Sequence, residues 1–181
     1  MPDHRSRAAK LLAAPAAMIL LAALVLSACV GSRTQLLTGS NLFGDQFQLN
    51  QYQEFIEGRA VSTKTAVFRW NAGRYQLISG EAAGVKFFRV ESAGENDLLV
   101  EGTDDKDYLY FLAHKLEEAT YRLLPVNENN VEKATQKQLC VKQDRDNCTI
   151  ETRAQLDTFV RASIGKAGPF TVVVVISAGA S

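Results

Sequence analysis

Turn-forming residues recur every eight to twelve positions between short apolar runs, and this spacing constrains the fold of the 181-residue chain more than any other feature. Asn71-Ala72-Gly73 is typical of these turns, because Gly supplies the left-handed residue that a tight hairpin needs. The predicted strands cover residues 65–70, 74–79, 85–91, 97–101, 107–114 and 119–126. Strands spaced in this way predict an antiparallel meander that forms a small barrel or a sandwich.

The strand at 107–114 is apolar on both faces. Tyr108, Tyr110 and Leu112 alternate with Leu109, Phe111 and Ala113. A sheet with one face in water would leave one of these two rows polar. Either the sheet closes on itself as a barrel, or a helix packs against its outer face.

The C-terminal region predicts one helix followed by one strand. Thr149 is the predicted helix cap and Gly165 the predicted stop. The apolar stripe of this helix comprises Leu156, Phe159, Val160 and Ile164. Residues 170–176 contain four consecutive valines, which predict a strand paired inside the sheet, beside the first strand of the meander. The predicted fold class is therefore mainly β, with about six to eight antiparallel strands and a helix near the C-terminus.

Two segments have weaker patterns. Residues 41–58 place Leu49, Tyr52, Phe55 and Ile56 at helical spacing, but an irregular segment packed on the domain fits almost equally well. Residues 127–138 are polar and predict a solvated loop.

The N-terminus has the composition of an export signal. Arg5, Arg7 and Lys10 precede the apolar stretch 11–26, which is interrupted only by Pro15. This stretch is shorter than the roughly 20 residues that span a bilayer and fits the apolar region of a signal peptide. The alternatives are a short membrane anchor and a buried helix, but the stretch lacks the polar residues at helical spacing that a buried helix would show.

Leu26-Ser27-Ala28-Cys29 closes this stretch and resembles the lipobox of bacterial lipoproteins. The resemblance implies cleavage before Cys29 and attachment of lipid to its sulfur. Together with the small and polar residues that follow Cys29, it predicts a signal peptide at 1–28, a tether at 29–41 and a single β-rich domain at 42–181. Val30, where an Asp would favour inner-membrane retention, indicates an outer-membrane lipoprotein that faces the periplasm.

The charge balance argues against nucleic-acid binding. Lysine plus arginine equal aspartate plus glutamate at 20 each. Residues 1–28 hold three of the basic residues and one acidic residue, which leaves the remainder with a net charge of −2. Nucleic-acid binding depends on clustered cations, so we expect no nucleic-acid partner.

Cys140 and Cys148 form the remaining even pair of cysteines. In an exported chain such a pair predicts a disulfide, and the turn-like residues between them allow it to close. Their spacing is not that of a CxxC redox motif. Zinc would need further ligands, and after residue 28 the only histidine is His114.

The chain contains no motif for catalysis, metal or a cofactor. His114 lies at a predicted strand end without a Ser or Cys motif, and we expect a surface role. Asp104, Asp105 and Asp107 lack the glycine and the bidentate glutamate of a calcium loop and predict a solvated turn. Glu117 and Glu118 predict another turn. We therefore expect no enzymatic activity and no cofactor.

Aromatic residues on the predicted strands are the remaining candidate for a site. The candidates for lining a ligand pocket are Trp70, Tyr75, Phe87, Tyr108 and Tyr110. The same residues fit an ordinary packed core, which the sequence favours, although an eight-stranded barrel can hold one small ligand.

Two functions follow from these expectations. The favoured one is a non-enzymatic interaction module that binds an envelope protein or the cell wall. The alternative is a carrier of a small apolar ligand in a lipocalin-like barrel. The order of elements also resembles that of small β-rich envelope lipoproteins, and this resemblance implies no activity.

Overall fold

The computed structural model describes residues 30–55, 60–81, 85–103, 107–144, 147–165 and 170–178, and these residues form a mainly β fold. The strands are β1 (Val30–Ser32), β2 (Gln46–Phe55), β3 (Ala60–Asn71), β4 (Arg74–Gly80), β5 (Phe87–Ser92), β6 (Asp97–Thr103), β7 (Tyr108–Glu117), β8 (Thr120–Pro125), β9 (Lys142–Asp144), β10 (Asn147–Ile150) and β11 (Phe170–Ala178). The helices are a 3₁₀ helix (Glu128–Asn130), α1 (Lys133–Leu139) and α2 (Arg153–Ser163).

Eight of these strands close an antiparallel barrel, one of the two forms that the sequence predicted for the meander. Their order is β6-β5-β4-β3-β2-β11-β8-β7, and pairing of β6 with β7 closes the ring. The valine-rich β11 lies between β2 and β8, with Val173 opposite both Tyr52 and Arg122. The prediction that this segment pairs inside the sheet is confirmed. The predicted neighbour, the first strand of the meander (β3), is wrong, because the barrel contains one further strand, β2, which lies between β3 and β11.

The helical expectation for residues 41–58 is wrong. Residues 46–55 form β2, where Phe47 is buried and its neighbour Gln48 is half-buried. Both edges of β2 are paired, one with β3 and the other with β11. A segment with two available strand neighbours satisfies all its backbone groups as a strand, which outweighs a helical spacing of a few apolar residues. Ile56 lies outside the described residues.

The predicted tether at 29–41 is also wrong for the part that the structure describes. β1 pairs with β7 and, in parallel, with β10. Val30 is fully buried and Leu37 is 1% exposed. Residues 33–45, named the strap from here on, then run across the outside of the barrel. The small polar residues of this segment are typical of a linker, but its aliphatic residues belong to the core.

Two carboxylates on the outer face of the barrel hold the strap. Glu101 accepts hydrogen bonds from the Leu36 and Leu37 amides at 2.8 and 3.1 Å. Glu91 accepts from the Thr38 amide at 2.7 Å and, through its other oxygen, from Arg153 of α2 at 2.6 Å. The carboxylates therefore satisfy backbone groups of a segment that has no strand neighbour of its own.

Glu101 is fully buried and belongs to a polar cluster beneath the strap. Its Oε1 pairs with the Arg89 guanidinium at 3.0 Å, and the Tyr110 hydroxyl donates to its Oε2 at 3.3 Å. Ser32 hydrogen-bonds the same hydroxyl at 2.9 Å. Burial is the main reason that the pKa of Tyr110 is raised, so the phenol stays protonated and can donate.

The polar segment 127–138 is not a solvated loop. It forms the 3₁₀ helix and most of α1, and Gln136 is buried between them. The Gln136 side-chain amide donates to the carbonyls of Glu128 and Val131 at 2.7 and 2.8 Å. A buried glutamine of this kind is invisible to hydrophobic periodicity, because its contribution is two backbone hydrogen bonds.

The predicted helix exists, but its cap lies three residues later than predicted. Thr152 caps α2 in a capping box with Gln155, whereas Thr149 lies in β10. Leu156, Phe159 and Val160 are buried as predicted, and Ile164 just beyond the helix is 44% exposed. α2 covers the outer face of β6 and β7 around Leu99 and Leu112. The structure therefore uses both predicted covers for the two-faced apolar strand, barrel closure and a helix.

Cys140 and Cys148 form the predicted disulfide. Their Cα atoms lie 5.2 Å apart, and the bond joins the end of α1 to β10. The Glu128 carboxylate lies within 4.8 Å of both sulfurs. Because the sulfurs are bonded to each other, neither offers the thiolate that a metal would need. Among the described residues, no helix has the length and apolar character needed to cross a bilayer.

Candidate functional site: the barrel interior

Cross-strand register separates the side chains that point into the barrel from those that point outward. Residues directly opposite each other on neighbouring strands share a face. Phe47 is opposite Phe68, Val90 is opposite Val100, and Ile176 is opposite Leu49, and all six belong to one apolar cluster. This cluster is the barrel interior, and α2 packs on a second cluster outside it.

One end of the interior is filled by aromatic rings. The filled end contains Phe43, Phe47, Phe68, Trp70, Tyr75 and Phe88. The rings of Phe68 and Phe88 pack edge to face with their centroids 4.9 Å apart. The rings of Phe47 and Tyr75 pack in the same way, with centroids 5.0 Å apart. Phe47, Phe68 and Tyr75 are each at most 1% exposed. Such pairs add about 0.5–1.5 kcal/mol each beyond the area they bury. This end is called the closed end below.

The strap closes this end. The ring of Phe43 in the strap packs against Phe47 and against Tyr121 of β8, with ring centroids 5.3 and 5.9 Å apart. The Phe43 amide donates to the Tyr75 hydroxyl, which donates in turn to Asn41, both at 2.8 Å. Burial is the largest cause of the raised pKa of Tyr75, and it keeps the hydroxyl protonated. The N-terminal part of the domain thus acts as a plug.

The opposite half of the interior is lined differently. Register assigns Phe111, Leu123, Val172, Gln51, Leu49 and Lys64 to the inward face of this half, together with Val174 and Ala113. The first six are half-buried, although they face the inside of a closed barrel, whereas Val174 and Ala113 are each 3% exposed. Side chains at the centre of a filled barrel would be fully buried, as Phe68 is. The half-buried residues of this half, named the open half, therefore keep part of their surface accessible to solvent.

Mainly aliphatic and aromatic groups line the open half, with polar groups near its rim. Lys64 forms an ion pair with Glu81, the first residue after β4. Gln51 lies directly opposite Lys64 across β2 and β3. An apolar lining with a few polar groups at its edge is the usual composition of a small-molecule site.

The five aromatic residues predicted to line a pocket divide between two faces of the barrel wall. Trp70 and Tyr75 lie inside, at the closed end. Phe87 lies opposite Thr103, and Thr103 lies opposite Tyr108, so all three residues are on the outer face. Tyr110, two positions after Tyr108 on β7, is on the same face. The Arg74 guanidinium lies 3.9 Å from the centre of the Phe87 ring. Tyr110 belongs to the polar cluster with Glu101.

The residues that line the open half were not predicted. Leu49 and Gln51 are in the segment interpreted as helical, and Val172 is in a strand predicted to be buried on both faces. Alternation identifies Phe111 and Leu123 as apolar strand residues, but no sequence signal says that their side of the sheet stays accessible.

The remaining candidate residues lie at the surface or outside the described residues. His114 Nδ1 lies 2.9 Å from Asp97 Oδ1 on the neighbouring strand, with its side chain 47% exposed. Asp107 is exposed, and Glu118 lies in the exposed β7–β8 turn. Cys29 and the positions 104 and 105 are outside the described residues.

Comparison with known proteins gives no relative. No protein-family model matches the chain, and neither the curated proteins nor the solved structures contain a significant match.

Proposed function

We propose that this protein is a lipid-anchored envelope protein that binds a small apolar molecule in the open half of its barrel. The observation that carries the proposal is the half-buried state of inward-facing apolar residues such as Phe111, Leu123 and Val172. Transfer of an apolar ligand onto such side chains removes their remaining exposed surface from water, at about 25 cal/mol for each Å².

The sequence favoured an interaction module over a carrier, and the geometry favours the carrier. Among the side chains that the structure describes, the large exposed apolar ones are Leu42, Ile78, Leu116, Val141 and Ile164. They belong to five different segments: the strap, β4, β7, the residue pair after α1 and the end of α2. Single apolar residues spread over a surface are ordinary and do not define a docking patch.

Binding of the fluorescent apolar probe N-phenylnaphthylamine to the domain tests the ligand site. Val172 and Val173 are consecutive half-buried residues of β11 that face opposite sides of the barrel wall. Val172→Trp should fill the open half and weaken probe binding at least about tenfold, which corresponds to 1.4 kcal/mol. Val173→Trp, the matched control on the outer face, should leave the affinity unchanged. Equal affinities of both variants and the wild type would contradict the proposal.

Labelling with radioactive palmitate tests the anchor separately. The match of residues 26–29 to the lipobox supports lipid attachment to Cys29. The wild-type protein should incorporate palmitate, and Cys29→Ser should not. Equal labelling of the two proteins would refute lipid attachment and leave the ligand site untouched.

A further inference from the structure

We infer that the open rim of the barrel faces the membrane surface and that the ligand is an amphiphile with an acyl tail drawn from the bilayer. This inference rests on the proposed function, because it takes Cys29 as the point of lipid attachment. It adds the orientation of the site and the chemical class of its ligand.

The position of β1 carries the first step. Gly31 and Ser32 pair with Leu109 and Tyr108, the first two residues of β7. The Val30 amide donates to the carbonyl of Val126, the residue after β8, at 3.0 Å. The start of β7 and the end of β8 belong to the same rim of the barrel, because the two strands are antiparallel neighbours. β1 is therefore attached at this rim.

This rim is the open one. The closed end contains Trp70 and Tyr75 on either side of the β3–β4 turn, together with Phe43 of the strap. Because β2, which follows the strap, runs away from that end, its later residues Leu49 and Gln51 lead toward the open half. Val172 near the start of β11 and Leu123 near the end of β8 lie at the same side. The chain thus enters the barrel wall beside the accessible half of the interior.

The direct covalent link between Cys29 and Val30 of β1 carries the second step. Adjacent Cα atoms are 3.8 Å apart, so the Cα atom of Cys29 lies within that distance of the fully buried Val30. A lipid on Cys29 must enter the bilayer, and no flexible residue separates it from β1. The rim that holds Val30 is consequently held against the headgroups. A flexible tether of about ten residues would instead allow about 17 Å of separation and free rotation.

The lining of the open half indicates the ligand class. Leu123, Val172 and Leu49 offer aliphatic surface of the kind that covers an acyl chain. Lys64 and Gln51 add polar contacts where a headgroup would remain. A rim held at the bilayer receives such an amphiphile directly from the membrane, so that its tail does not have to cross water.

Fluorescence quenching in proteoliposomes that contain the full lipidated protein and brominated phospholipid tests the orientation. Trp70 is the only tryptophan and lies at the closed end. Asp107 and Glu118 are exposed acidic residues at the two ends of β7, and each is replaced in a Trp70→Phe background. Asp107→Trp, at the open rim, should lose most of its fluorescence, whereas Glu118→Trp and native Trp70 should lose little.

A linker insertion tests the orientation of the barrel separately from its lipid anchor. About ten Gly and Ser residues placed between Cys29 and Val30 should preserve palmitate labelling and largely restore the fluorescence of Asp107→Trp. Stronger quenching of Glu118→Trp than of Asp107→Trp, or equal quenching of both, would overturn the orientation while the anchor stands. Loss of palmitate labelling in the Cys29→Ser control identifies the anchor itself, and absence of labelling in the wild type would refute the proposed function instead.

Discussion

The closed end and the open half of the barrel are built from the same eight strands, yet they bury their side chains to different extents. Phe68 at the closed end is 1% exposed, whereas Phe111 in the open half is half-buried. The difference comes from a segment outside the barrel, because the strap delivers Phe43 to one end only. An eight-stranded barrel is just wide enough to be filled by its own side chains or to hold one small ligand, and here side chains fill one end while the proposed ligand site lies at the other.

Deletion of residues 170–181 should have the largest effect, because it removes a strand from both halves at once. β11 pairs along its length with β2 and along four residues with β8. Without it, two unprotected strand edges are exposed, and such edges promote aggregation. We expect aggregated or degraded protein. A soluble domain that melts cooperatively without these residues would show that the barrel does not depend on β11.

Truncation of one phenylalanine in each half compares them directly. Phe68→Ala should lower the free energy of unfolding by about 3–5 kcal/mol, the usual cost for a buried phenylalanine. Phe111→Ala should cost clearly less, because its side chain is already partly in water. Urea denaturation measures both values. The same Phe111 variant should bind N-phenylnaphthylamine more weakly than the wild type, and equal unfolding costs for the two variants would remove the distinction between the halves.

A smaller effect should appear at acidic pH in the strap that closes one half. Burial alone would raise the pKa of Glu91, but hydrogen bonds from Arg153 and Thr38 outweigh it and lower this pKa below 4.5. A lowered folded-state pKa stabilises the fold above the unfolded value, and this contribution is lost as the pH falls from 4.5 through the folded-state pKa. The Thr38 amide, which donates to Glu91, should therefore lose hydrogen-exchange protection below pH 4.5.

The Ser40 amide supplies an internal control, since it donates to the backbone carbonyl of Val90 at 2.8 Å. After correction for intrinsic exchange, its protection should change less than that of Thr38. Glu91→Gln should abolish the pH dependence at Thr38. If Thr38 and Ser40 lose protection together in both proteins, the strap opens for a reason other than titration of Glu91.

The sequence was sufficient to predict the barrel strands in which apolar and polar residues alternate clearly, and also the valine-rich β11. It was also sufficient to pair Cys140 with Cys148, because only two cysteines remain after Cys29 is assigned to lipid. It failed at β2, because the alternation of Phe47 and Leu49 with Gln48 and Asn50 breaks at Gln51 and Tyr52, and because one of the two strands that pair with β2, β11, is distant in the chain. It failed at the strap because the partner of the Leu36 and Leu37 amides is the carboxylate oxygen Oε2 of Glu101, more than sixty residues away.

The candidate site was harder to predict than the fold for a related reason. Aromatic residues mark the predicted pocket in the sequence, but in the structure they fill the closed end or cover the outer face. Accessibility of the open half depends on where the strap ends, and that is a property of tertiary packing. No local pattern around Leu123 or Val172 contains this information.

A methyl NMR titration of the folded domain with dodecanoate tests the central claim, a ligand site in the open half, most directly. Methyl resonances of Leu49, Leu123 and Val172 should shift in a saturable manner, since these groups line the open half. Methyls of Leu112 and Val160 in the outer cluster should remain unchanged. Shifts confined to the outer cluster, or no saturable shift at Leu49, Leu123 and Val172, would contradict the account.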